Sequence, residues 1–226
     1  MSATKELTVG NPLPLIIKFA LPLLLGNMLQ QTYSMVDAAI VGRTLGINAL
    51  AAVGASTSVV FLILGFCNGC CGGFAIPIAQ KFGARDYSVM RSYIHNAFKL
   101  AWIMSLLLAV ITSLLCGFIL HTMRTPDIIY DGAYAYLLAT FIGIPATFFY
   151  NLLSCVIRAL GDSKTPFWFL LLASVLNIGL DLLFILTFQW GVTGAAVATV
   201  LSQAVSAILC YMYICLLYTS PSPRDA

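Results

Sequence analysis

Two aspartates, Asp37 and Asp181, interrupt stretches that are otherwise apolar enough to cross a lipid bilayer. A carboxylate at the centre of such a span costs roughly 2.5–3.5 kcal/mol on insertion scales unless it is paired, hydrated or neutralised, so an acid kept there points to a task. Both acids have polar company at helical spacing. Gln30, Tyr33 and Asp37 stand at i, i+3 and i+7, with Asn27 and Ser34 close to the same face; Ser174, Asn177 and Asp181 repeat the pattern. A third run, GAAVATVLSQ, offers Thr199, Ser202 and Gln203 on a face of small residues. Two carboxylates that share a low-dielectric cavity do not both carry charge; one takes a proton, or a small cation lies between them. Amide and hydroxyl oxygens can complete the shell of a hard cation. Such a cluster suits the loading and unloading of H⁺ or Na⁺. An aspartate tied to Asn or Thr only to fix helix packing would leave the same trace at either site alone. Two acids, each with its own polar face, favour a shared site.

The elements that position these groups are membrane helices. The chain has 226 residues, 61% hydrophobic and 8% charged, against about 25% charged in a soluble domain. Six apolar segments, at 14–41, 49–80, 92–120, 128–160, 166–188 and 193–218, each reach the length of about 20 residues that a helical span needs. Barrel strands would be nearer 10 residues and strictly alternating. The breaks GRTLGIN, KFGARDYS, HTMRTPD, GDSKTP and FQWGVTG have turn composition, and Pro126 and Pro166 stand where new helices begin. The expected fold is an all-α membrane protein, a six-transmembrane-helix bundle over 14–217. Residues 1–13 read as a cytoplasmic N-terminus without the features of a signal peptide, so the first span is expected to be retained. The polar, proline-bearing stretch 218–226, YTSPSPRDA, reads as a non-native tail.

With the N-terminus in the cytoplasm, nine of the eleven Lys and Arg residues fall on the inner side, leaving only Arg43 and Arg124 outside. Lys99 then snorkels from just inside the third span. Pro22, fifteen residues before Asp37, removes one backbone hydrogen bond and permits a bend in the first helix. The fifth and sixth spans form a hairpin that could bring Asn177, Asp181 and Thr199 together. Thr199 lies nine residues inward of Trp190, about 14 Å at 1.5 Å per residue, whereas both acids look shallower. Tilt or a long extracellular extension would be needed to match their depths.

Other features invite simpler readings. Gly65, Gly69 and Gly73 recur at four-residue spacing, which lets helices approach closely in lipid. The seven cysteines all lie in apolar stretches; their odd number and setting suit packed helices better than a disulfide framework or a zinc site. Trp190 suits an interfacial anchor, Trp102 and Trp168 a lipid-facing or packed position. His95 and His121 are lone residues near span ends, and the other six acids lie at termini or turns. A net charge of +3, scattered along the chain, gives no basis for nucleic-acid binding.

Four stretches together resemble the multidrug and toxic compound extrusion (MATE) family, of the DinF-like kind. They are the run from Pro22 to Ser56, RALGDSKTPF at 158–167, NIGLDLLFI at 177–185 and GVTGAAVATVLSQ at 191–203, in the family's order within residues 10–217. The resemblance implies a twelve-helix transporter of two six-helix lobes, exporting amphipathic, often cationic organic compounds in exchange for H⁺ or Na⁺ without a further cofactor. This chain then resembles one lobe, the N-terminal half, whose partners would be a small organic substrate, the lipid bilayer and the missing C-terminal six-helix lobe. The implied location is the plasma membrane, the inner membrane of a bacterium. The resemblance places ion coupling on Asp37, Asn177, Asp181 and Thr199, the helix bend on Pro22, and cavity-lining roles on Gln30, Tyr33 and Asn151.

Two alternatives come from the same residues. A lipid-linked oligosaccharide flippase of the same superfamily would carry basic residues in its cavity, and these spans lack central Arg or Lys. An intramembrane aspartyl protease needs two membrane aspartates but also Tyr-Asp and Gly-x-Gly-Asp patterns; here Val36 precedes Asp37 and Ala159 stands where the first glycine is wanted. With no P-loop, HExxH or GxSxG, the chain is not expected to be an enzyme.

Overall fold

The computed structural model describes residues 12–219. Residues 1–11 and 220–226, including Lys5, Glu6, Arg224 and Asp225, lie outside the described residues, and with them most of the expected N-terminal stretch and tail. The helices are α1 (Pro12–Leu45), α2 (Ile47–Gly83), α3 (Tyr87–Thr122), α4 (Asp127–Ile142), α5 (Ile144–Ala159), α6 (Lys164–Leu182) and α7 (Val192–Thr219). No strand occurs among the described residues. Five helices are long and apolar enough to cross a membrane alone, and α4 with α5 makes a sixth span bent by 48°.

Local chemistry sets the boundaries. Gly46, at φ 87°, turns the chain in a single residue between α1 and α2. Asp86 caps α3 by accepting from the Val89 N–H at 3.3 Å, and it pairs with Lys81 at 3.3 Å. Pro126, extended at φ −60° and ψ 142°, precedes α4.

The fourth span, expected as one helix over 128–160, is instead broken at Gly143. Pro145 has no N–H to give to Phe141, so the ladder loses a bond there. Gly143 has no side chain, and α7 crosses against it; a Cβ at Gly143 would collide with Val200. The bend makes α5 the centre of the bundle. It packs on α2, α3 and α7 and buries Phe148, Leu152, Val156 and Ile157 to within 1% of complete. Cys67, Cys71, Cys116 and Cys210 fill this core as small apolar groups.

The glycine stripe behaves differently from its expected use. A Cβ on Gly65, Gly69 or Gly73 would meet nothing within 4 Å. The inner face of α2 is formed instead by Ala52, Ser56, Cys67, Cys71 and Ile78. Spacing fixed the stripe to one face but could not say which face is inward. Helix α1 is also peripheral, resting mainly on α6 and α2, with Asn27, Gln30, Gln31 and Ser34 exposed along it.

Candidate functional site

The site is assembled by α1, α6 and α7, with α4 behind it. Asp37 comes from α1, Asn177 and Asp181 stand one turn apart on α6, and Thr199 faces them from α7. Asn177 is 1% exposed and Asp181 fully buried. The Asn177 Nδ2 donates to Thr199 Oγ1 at 3.3 Å. The Asp37 and Asp181 carboxyls are immediate neighbours, able to hydrogen-bond to one another. Two carboxylates have no hydrogen to share, so the contact is attractive only with a proton or a cation in it. Asp37 Oδ1, both Asp181 oxygens and Asn177 Oδ1 are buried without a donor from the protein. A pocket of acceptor oxygens lacking donors is the ligand set a hard cation or a proton completes.

The depth mismatch foreseen between Thr199 and the acids is absent, and no long extension is needed. After Leu182 the chain widens into a π-helical turn, Leu183–Thr187, and then folds back. Phe188 N–H donates to Leu183 O at 3.1 Å and Trp190 N–H to Phe184 O at 3.0 Å. Trp190 therefore returns to the level of α6 before α7 begins, and nine residues of descent bring Thr199 level with Asn177. The rings of Phe184 and Trp190 stack at 5.0 Å, and Gly194 lets α7 abut Phe184, where an added Cβ would sit 3.1 Å from the Phe184 Cβ.

The other expected residues divide. Tyr33 lies beside the Gln30 and Gln203 amides and the Ser34 hydroxyl, one turn below Asp37. Asn151 is not drawn into this cluster by any described hydrogen bond; its Nδ2 donates to Thr147 O of its own helix at 2.9 Å. Pro22 sits within α1, which continues as helix through it. Two features escape a reading by spacing. Tyr136 on α4 is half-buried and close enough to Asp37, Asp181 and Tyr33 to interact with them electrostatically, although nothing next to it in sequence is acidic within a span. Asp162, expected to be a plain turn acid, is only 7% exposed. It accepts from the Lys164 and Thr165 N–H groups and from the Tyr213 hydroxyl at 2.9 Å, tying the α5–α6 corner to α7. The local pattern Asp-Ser-Lys-Thr could have signalled the helix start, but not the bond to α7.

Membrane-length helices packed around a buried, oxygen-lined acid pair define a multi-pass helical membrane protein of transporter type. The family model MatE matches residues 22–183, and the chain belongs to that family. It is 36% identical, over 92% of its length, to the probable multidrug resistance protein YpnP of Bacillus subtilis, covering 47% of that protein. It is 33% identical, over 87% of its length, to the probable multidrug resistance protein YoeA of the same organism, covering 43% of it. Among solved structures it is similar to a MOP superfamily transporter from Pyrococcus furiosus, with a TM-score of 0.87 and 27% identity over 96% of this chain and 48% of that one. The chain spans about half the length of the relatives it matches, two of them named as probable multidrug resistance proteins and one as a transporter.

Proposed function

We propose that the intact protein to which this half belongs is a cation-coupled antiporter. It exports amphipathic, often cationic organic compounds across the plasma membrane in exchange for H⁺ or Na⁺. The observation that carries the reading is the meeting of Asp37 and Asp181 from two helices, with four buried oxygens of the cluster lacking protein donors. With a proton or Na⁺ between the carboxyls, α1 is held against α6. When the ion leaves, two like charges in a low-dielectric setting push apart, and α1, the least buried helix, is free to yield at Pro22. Thr199 holds the Asn177 amide so that its oxygen faces the ion. Tyr136 and Tyr33 border the cluster, and Gln30 and Asn151 are cavity-lining candidates.

The exposed amides and hydroxyl of α1, Asn27, Gln30, Gln31 and Ser34, are poorly suited to hydrocarbon. They suit a water-filled cavity completed by the C-terminal six-helix lobe. The Lys and Arg distribution supports a cytoplasmic N-terminus. The test is Asp37→Asn in the intact protein, read by dye efflux against a panel of organic cations. The variant reaches the membrane normally and exports nothing. Efflux at the unsubstituted level would remove Asp37 from the mechanism, and an intact protein exporting no organic cation would overturn the cargo assignment.

A further inference from the structure

We propose that a groove on α3, at the end of the bundle shared with the α2–α3 and α5–α6 turns, is a binding site for one anionic phospholipid. Arg91, His95 and Lys99 recur at i, i+4 and i+8, and all three are exposed. They span about 12 Å along the axis at 1.5 Å per residue. Arg91 and His95 border a groove of about 370 Å³ whose floor is Ile94 and Phe98. Helix α3 contains no Asp or Glu. Arg91 and Lys99 bring positive charge to this face and His95 a further N–H donor.

Toward the membrane interior the groove becomes aromatic. Phe98 stacks on Phe149 at 6.1 Å, Trp102 packs on Phe149 at 4.6 Å, and Tyr211 of α7 meets Phe98 edge-on at 6.4 Å. Trp102 keeps 53% of its surface exposed and Tyr211 55%. A column that is cationic at one end and aromatic for the next turns matches a phosphate ester joined to an acyl chain. A soluble phosphate would use only the cationic part. The bilayer presents the lipid along this face without any further partner. Basic pockets between membrane helices are a recurrent solution for such headgroups. The inference depends on α3 lying in a bilayer and not on what the protein exports.

The test is native mass spectrometry of the detergent-extracted chain with equal amounts of phosphatidylglycerol and phosphatidylcholine. The unsubstituted chain retains phosphatidylglycerol at least about fivefold over phosphatidylcholine, the gain expected from even one well-placed basic contact. Combined Arg91→Gln, His95→Gln and Lys99→Gln brings the ratio to near one. Arg43→Gln with Arg124→Gln, at the opposite end, leaves it unchanged. As a local readout independent of the variants, phosphatidylglycerol with brominated acyl chains quenches Trp102 more than brominated phosphatidylcholine, the Trp102 share being defined with Trp102→Phe. Equal retention of the two lipids, an undiminished ratio in the triple variant, or no preferential quenching of Trp102 would overturn the proposal. Displacement of the lipid by millimolar glycerol 3-phosphate would overturn it in favour of a soluble anion.

Discussion

Gly143 is the position at which one added carbon should disturb both bundle and site. Its backbone, at φ −77° and ψ −8°, accepts any residue, so Gly143→Ala introduces no backbone strain. On conformational entropy alone it would stabilise by about 0.4–1 kcal/mol. The obstacle is steric. The new Cβ would overlap one γ carbon of Val200 and stand 2.9 Å from the other and 3.0 Å from the Val200 Cβ. Rotation of Val200 cannot empty both γ positions at once, because its two γ carbons fill two of three staggered places, so α7 itself must move. Overpacking of this kind costs about 1–3 kcal/mol. Because Thr199 precedes Val200, the same shift draws its hydroxyl away from Asn177, a bond already 3.3 Å long. Val200→Ala removes both γ carbons and leaves only the 3.0 Å contact, so the double variant recovers most of the loss. Thermal unfolding followed with a thiol-reactive fluorogenic dye is a suitable assay, since Cys67, Cys71, Cys116 and Cys210 are buried. Gly143→Ala melts lower, and the cycle with Val200→Ala shows a favourable coupling of about 1 kcal/mol or more. A Gly143→Ala chain melting with the unsubstituted one, or the absence of rescue, would refute the close crossing of α7 over the break.

Three further outcomes follow from particular contacts. Gly65→Ala, Gly69→Ala and Gly73→Ala meet open space in this chain, so each raises its melting temperature, by about 0.5–1 kcal/mol of helix propensity. Destabilisation by the same changes in the intact protein would place the stripe against the second lobe. Tyr213→Phe removes the hydroxyl bonded to Asp162 at 2.9 Å; it lowers stability by about 1.5–3 kcal/mol, the worth of a bond to a charged group, and an unchanged melting curve would count against the tie. Thr199→Val leaves the Asn177 amide without its partner and weakens ion-driven efflux about tenfold, as a buried unmade bond of 1–3 kcal/mol implies. Thr199→Ser, which keeps the hydroxyl, exports near the unsubstituted level.

Much of this was legible in the sequence because lipid makes strong demands. Span number follows from apolar length, and Asp37 and Asp181 stand out because a carboxylate in hydrocarbon requires a reason. Less was legible wherever a neighbour from elsewhere in the chain decides. The Gly143–Pro145 pair is visible in sequence, but a membrane helix can absorb a proline; the approach of Val200 is what marks the break. The depth of Thr199 is not given by spacing, which assumes uniform α-helical rise, because the π-turn after Leu182 with its fold-back at Trp190 departs from it. Tyr136 carries no signal in its own helix, since its charged neighbours arrive from α1 and α6. Periodicity gathered the glycines of α2 onto one side, but Cys67 and Cys71, on another face, turned out to point inward.

The most direct test of the acid pair compares Asp37→Asn, Asp181→Asn and the double variant in the intact protein, with efflux measured beside surface expression. One shared ion site predicts that each single change lowers efflux at least about tenfold, the loss of one charged contact, and that the second change costs nothing further, because groups acting as a unit are not additive. Losses that multiply in the double variant, or efflux surviving either single change, would contradict a site shared between α1 and α6.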